Sequence, residues 1–243
     1  MTQRMKWGAK LFVVLLCALG LKYFYSTASP DELRWILAPT TRLVELLSGR
    51  SFEFESHAGY MSSDNSFLIA ASCAGVNFLL TSFLMLSVRT LWRNRNQSTS
   101  WRLIPTAAAI SYLATIIANS FRICIALELQ RHPFDSGWLS ANQVHRLEGI
   151  VVYFGFLLFL FVLTERIESR ESTRVMRLLL FPLSVYYATM LLLPLLNGGY
   201  RQGAVFWEHS AFVLLTPLLG ILPIATFVFL KRLKTFSSVK EPT

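Results

Sequence analysis

Cys73 lies in the stretch Ala71-Ser72-Cys73-Ala74-Gly75-Val76-Asn77, whose small residues leave room for another backbone or a substrate to approach the sulfur. Asn77, one helical turn on, would put a polar group on the same helix face. By itself this pattern fits either a reactive thiol or a small-residue packing patch that happens to include cysteine. Arg122 closes another apolar run, Ala118-Asn119-Ser120-Phe121-Arg122-Ile123-Cys124. A cation costs on the order of 2.5–3.5 kcal/mol at the middle of a membrane span and less near its end. Such an arginine can snorkel to the surface, but Asn119 one turn earlier argues for a face turned into a bundle. His145, in Val144-His145-Arg146-Leu147-Glu148-Gly149, can exchange a proton near neutral pH, and Gly149 permits close approach beside it. Standing alone it would read as a solvated loop histidine.

The other reactive side chains are weaker candidates. Cys17 falls within an apolar run, where a thiol is ordinary packing, and Cys124 points to a different helix face from Arg122. A Cys73–Cys124 disulfide is geometrically possible on an oxidising side. His57 is near enough to Cys73 in sequence to serve as a reserve base. His132, followed by Pro133, reads as a loop residue, and His209 beside Glu208 as a cap or ion-pair partner. The cysteines lack carboxylate or histidine at ligand spacing, so no metal site is expected.

What must position these groups is set by composition. The chain is 53% hydrophobic and only 15% charged, against about 25% charged in ordinary soluble domains. That argues against a water-soluble globule and against disorder. The net charge of +9 is carried in short clusters between apolar stretches, which argues against nucleic-acid binding. Six apolar runs approach the roughly 20 residues a spanning helix needs: Ala9–Tyr25, Phe67–Leu91, Leu103–Ile125, Gly149–Thr164, Leu178–Leu196 and Ser210–Leu230. None alternates like a barrel strand, so the expected fold is an all-α polytopic bundle in a lipid bilayer. It is read as one integral membrane domain over 1–243, with a core at about 67–164 and accessory spans at about 178–230. In this reading Cys73 stands about two turns inside the second span. The first connecting segment, about Thr27 to Ser66, has Leu33, Ile36, Leu37, Leu43, Leu46 and Leu47 near helical spacing. An amphipathic helix on the outer membrane surface is predicted there, with Pro39 as a break. Phe52-Glu53-Phe54-Glu55 alternates like an extended segment. There is no internal repeat and no glycine-rich phosphate loop; the polar stretch Asn94–Ser100 is the only low-complexity tract.

Charge sets the orientation. The N-terminus, second loop, fourth loop and C-terminus hold 15 of the 23 basic residues and 4 of the 14 acidic ones. Positive charge marks the cytoplasmic side, so both termini should lie inside and the first, third and fifth loops outside. Cys73, Arg122 and His145 then fall near the same extracytoplasmic face. The first span also has features of a cleaved signal peptide, a basic start and Ser26-Thr27-Ala28, while Tyr23, Phe24 and Tyr25 fit an interfacial belt.

The ordered set Ser72-Cys73-Ala74-Gly75, Asn119 to Arg122 and His145 to Gly149 resembles the exosortase/archaeosortase family of multi-pass membrane cysteine transpeptidases, most of all the exosortase K type. The resemblance covers about Phe67 to Thr164; the last two spans carry nothing that matches. It implies Cys73 as nucleophile, Arg122 as its electrostatic partner and His145 as proton-transfer group, with Asn77, Asn119, Gly149 and His57 as possible support. It implies no cofactor, a bacterial inner-membrane location, and as substrate a secreted protein with a short sorting motif, a transmembrane helix and a basic tail at its C-terminus. The other readings of the same residues are a non-enzymatic permease or membrane assembly factor, with Asn119 and Arg122 lining a polar path, and a lipid-modifying thiol acyltransferase. Transport predicts mid-membrane polar residues in several spans; here the polar set clusters at one end.

Overall fold

The computed structural model describes residues 3–95, 100–132, 140–168 and 175–238. Arg170, Arg174 and Lys240 of the charge count, Pro133, and residues 96–99 of the polar stretch lie outside them. Among the described residues, six helical segments are long and apolar enough to cross a membrane: Met5–Thr27, Ala71–Arg93, Leu103–Arg131, Asn142–Ile167, Leu178–Leu196 and Ala204–Ile221. The protein is a multi-pass, all-α membrane bundle with one small sheet. It divides into two compact units, Met1–Phe156 and Leu157–Thr243.

In the first unit, helices α1 (Gln3–Thr27), α3 (Val76–Arg93), α4 (Leu103–Arg131) and the start of α5 (Ala141–Glu168) pack in sequence. Each neighbouring pair is antiparallel. Trp7 Nε1 donates to the Leu91 carbonyl at 2.9 Å at one end of the α1–α3 pair, and Lys22 Nζ donates to Asn77 Oδ1 at 2.9 Å at the other. On α4 and α5, Asn119 meets Tyr153, while Arg122, further along α4, meets Gly149 and His145, earlier on α5.

Helix α2 (Arg34–Ser48) follows a turn closed by reciprocal bonds of Ser29 and Glu32: Ser29 N–H donates to Glu32 Oε2 at 2.8 Å and Glu32 N–H to Ser29 Oγ at 3.4 Å. The expected break at Pro39 does not occur. Proline lacks the N–H that would bond to the carbonyl four residues back, and that carbonyl, on Trp35, accepts the Tyr112 hydroxyl at 2.7 Å instead. Nor is the amphipathic face spread on the membrane surface. Ile36, Leu37 and Val44 are buried with Ile123 and Leu127 of α4 and Val76 and Leu79 of α3, while Leu46 and Leu47 stay exposed.

Strands β1 (Phe52–Glu55), β2 (Gly59–Ser62) and β3 (Leu68–Ile69) form an antiparallel sheet in that order, with Phe54 opposite Tyr60 and Tyr60 opposite Ile69. The pairing of β3 corrects the predicted start of the second span at Phe67. The chain is extended through Ile69, makes a 3₁₀ turn at Ala71–Ala74, and becomes α-helical only at Val76. Gly75, between turn and helix, has φ of +69°, a left-handed conformation natural to glycine.

The second unit holds the end of α5 with α6 (Val175–Tyr187), a π turn (Ala188–Leu192), α7 (Leu193–Leu196) and α8 (Ala204–Ser238). The π turn ends two residues before Pro194, and Tyr187 ties α6 to α8 through a 2.6 Å bond to the Leu214 carbonyl.

Candidate active site

The thiol of Cys73 is carried by the 3₁₀ turn, not by a helix two turns inside the bundle, so Asn77 does not share a helical face with it. The turn is pressed onto α4. A Cβ on Gly75 would lie 3.1 Å from Asn119 Cγ and 3.2 Å from Thr115 Cγ2. Asn119 is wholly buried and bonds in two directions: its Nδ2 donates to the Cys73 carbonyl, and its Oδ1 accepts the Tyr153 hydroxyl at 2.8 Å. One amide thereby links the cysteine turn, α4 and α5. Phe78 stacks on Tyr153 at 5.3 Å and holds the ring in place.

Arg122 is one turn further along α4. Its side chain is 13% exposed, and its guanidinium carbon lies 5.6 Å from the Tyr153 ring centre. Nη2 is 2.9 Å from Nε2 of His145, and Nε is 3.8 Å from Oε2 of Glu148. A Cβ on Gly149 would stand 3.2 Å from Nε, so the bare glycine is what lets α5 come this close. Arg122, Tyr153 and Tyr25 are all near enough to Cys73 to interact with it electrostatically.

His145 is in the first turns of α5, not in a loop before it. That difference is chemical, because residues three apart on a helix share a face. Glu148 therefore comes under the imidazole, Oε2 lying 3.6 Å from Nδ1. A guanidinium only donates, so Nε2 is the acceptor in the contact with Arg122 and a neutral His145 carries its proton on Nδ1, towards Glu148. The imidazole is 48% exposed, open to an incoming reactant, whereas the Glu148 side chain is 5% exposed and neither of its oxygens has a hydrogen-bond partner.

The remaining candidates lie elsewhere. Asn77 accepts from Lys22. His57, 89% exposed with φ of +66°, occupies the β1–β2 turn, its N–H donating to Asp31 Oδ2 at 2.9 Å and its Nδ1 3.5 Å from the same carboxylate; its bonds do not lead to Cys73. His132 pairs with Glu128 at 3.7 Å. His209 sits in the first turns of α8. Cys17 is exposed on α1, not packed within the protein, and all three cysteines are free thiols. Among the described residues, no three His, Cys, Asp or Glu side chains converge to hold a metal ion. Glu148 and Tyr153 were not singled out from sequence. Their signal is spacing from a known neighbour: Glu148 three residues after His145, and Tyr153 four after Gly149.

The fold and these contacts define a multi-pass membrane protein with a thiol, a guanidinium, an imidazole and a buried carboxylate gathered where α3 and α5 begin. No protein-family model matches the chain, and neither a curated protein nor a solved structure matches it.

Proposed function

We propose that this protein is a membrane cysteine peptidase or transpeptidase of the exosortase/archaeosortase kind. It cleaves the C-terminal sorting signal of secreted proteins at the extracytoplasmic face of a bacterial inner membrane. The observation that carries the reading is the Arg122–His145 contact at 2.9 Å, made beside the turn that bears Cys73.

The thiolate is the reactive form of cysteine, and a neighbouring cation favours it. Arg122 supplies that cation. When a substrate carbonyl enters, the guanidinium turns towards its oxygen and releases Nε2 of His145, which takes the thiol proton. The sulfur adds to the carbonyl carbon, and Arg122 faces the oxyanion; a single such donor is worth roughly 2.7–4 kcal/mol of barrier. Collapse breaks the C–N bond, the leaving amine takes the proton from Nε2, and the acyl group remains on Cys73 as a thioester. An acceptor nucleophile then gives its proton to His145, displaces the thiolate, and the proton returns to sulfur. A tailed substrate suits a site in a bundle of spanning helices, because its own helix brings the preceding motif to the membrane surface.

The test is co-expression with a secreted protein ending in a short motif, one apolar helix and a basic tail. Cys73→Ala should leave it uncut while wild type processes it. Arg122→Lys should lose roughly 10²–10³-fold in rate, since lysine keeps the charge without the planar fork. Processing by Cys73→Ala at the wild-type rate overturns the thiol mechanism.

A further inference from the structure

We propose that Glu148 is the positioning residue of this site. Its carboxylate holds the His145 imidazole with the proton on Nδ1, so that Nε2 faces the reactants, and it anchors Nε of Arg122 while the Nη groups exchange His145 for substrate. The inference rests on the proposed function and adds to it a group that the resemblance does not name.

The geometry carries it in three steps. First, His145 has two ring nitrogens and each faces a different partner: Nε2 faces Arg122 at 2.9 Å and Nδ1 faces Glu148 at 3.6 Å. A carboxylate only accepts, so it selects the tautomer with hydrogen on Nδ1. Second, the same oxygen, Oε2, also faces Arg122 Nε at 3.8 Å. One carboxylate therefore touches both partners of the thiol, at the atoms that neither uses on substrate. Third, a carboxylate buried for stability would be expected in close hydrogen bonds, and both oxygens here have none. Replacing such a loosely held buried pair by apolar side chains is often neutral or stabilising, so packing gives no reason for Glu148. At 3.6 Å from Nδ1, Oε2 stands just beyond hydrogen-bond distance of a ring that becomes positive in the proposed turnover, as catalytic hydrogen bonds often do before the reactants bind.

Two substitutions separate charge from shape. Glu148→Gln keeps the size and removes the charge; Glu148→Asp keeps the charge on a shorter stem. With rates normalised to the amount of membrane-inserted protein, Glu148→Gln should lower kcat by roughly 10²-fold with KM within about twofold, and Glu148→Asp should retain more activity than Glu148→Gln. In a His145→Gln background, Glu148→Gln should cost clearly less than it does alone, because the residue acts through the imidazole. A packing role predicts the reverse order, Gln better than Asp. That order, or Glu148→Gln within twofold of wild type, overturns the inference while Cys73→Ala remains inactive and the proposed function stands. A wild-type chain no more active than Cys73→Ala overturns both.

Discussion

Arg122 is contested by its neighbours. Its guanidinium faces the His145 ring nitrogen, the Glu148 carboxylate and the face of Tyr153, and Gly149 is the void that lets all three close on it. Filling that void is the most direct test of the arrangement. Gly149→Ala suits the helix, where alanine is favoured over glycine by about 1 kcal/mol. The new methyl carbon, 3.2 Å from Nε, displaces the flexible end of Arg122 rather than backbone. The expected outcome is a protein as stable as wild type in a thermal-unfolding assay that processes substrate at least about tenfold more slowly. Arg122 was legible in sequence because a cation in an apolar run is costly. Glu148 was not, although it stands in the same hexapeptide as His145, because its meaning depends on whether that hexapeptide is loop or helix. Tyr153 was hidden for a different reason: an aromatic residue inside a spanning helix is ordinary until its hydroxyl is seen bonded to Asn119.

At the scale of elements, the cysteine is presented by the short passage from β3 to α3. The strand ends at Ile69, the 3₁₀ turn carries Cys73, and Gly75 turns the chain into α3 against Asn119 and Thr115. Gly75→Ala meets two obstacles, a left-handed backbone costing roughly 1–2 kcal/mol and a methyl pressed on buried side chains. A lowered Tm in detergent, together with slower processing, is expected. The β1–β2 turn gives a pH prediction. Asp31 accepts His57 N–H and the Ser56 hydroxyl, at 2.9 and 3.1 Å, and these bonds hold its carboxyl below the usual aspartate range, the His57 N–H contributing most. A carboxylate whose folded pKa is depressed stabilises the fold above its unfolded value and ceases to as pH falls through the folded one. Protection of the His57 amide from hydrogen exchange, corrected for intrinsic rate, should hold from pH 7 to about 4 and disappear at pH values under the ordinary 3.8; Asp31→Ala should lack it throughout. The hairpin itself was only partly visible in sequence. Phe52–Glu55 alternates, but β3 is two residues long and precedes an apolar run that reads as helix. Pairing with β2 is what holds it extended.

For the whole molecule, six apolar helices and the distribution of positive charge make one joint prediction, that both termini face the cytoplasm. A fluorescent protein that matures only in the cytoplasm should glow when fused to either end, and a phosphatase active only outside should be inactive there. Activity of a C-terminal phosphatase fusion would require an odd number of spans or the opposite orientation. Within the first unit the antiparallel succession of α3, α4 and α5 follows from short connections. The insertion of α2 among them does not, because nothing in its amphipathic pattern says whether the apolar face meets lipid or protein.

The sequence by itself determined six apolar runs long enough to span, the expected sidedness and three candidate site residues, because these follow from the cost of placing charge in hydrocarbon and from side-chain chemistry read one residue at a time. Only the tertiary structure decided which groups meet. Asn119 reaches the Cys73 carbonyl, Gly149 admits Arg122, and Arg122 meets both His145 and Glu148 through packing across α3, α4 and α5, whose relative rotation and depth depend on residues far apart in the chain. It also decided that Cys73 rides on a turn and His145 on a helix, since a strand two residues long and the N-terminal turns of α5 take their form from contacts rather than local propensity.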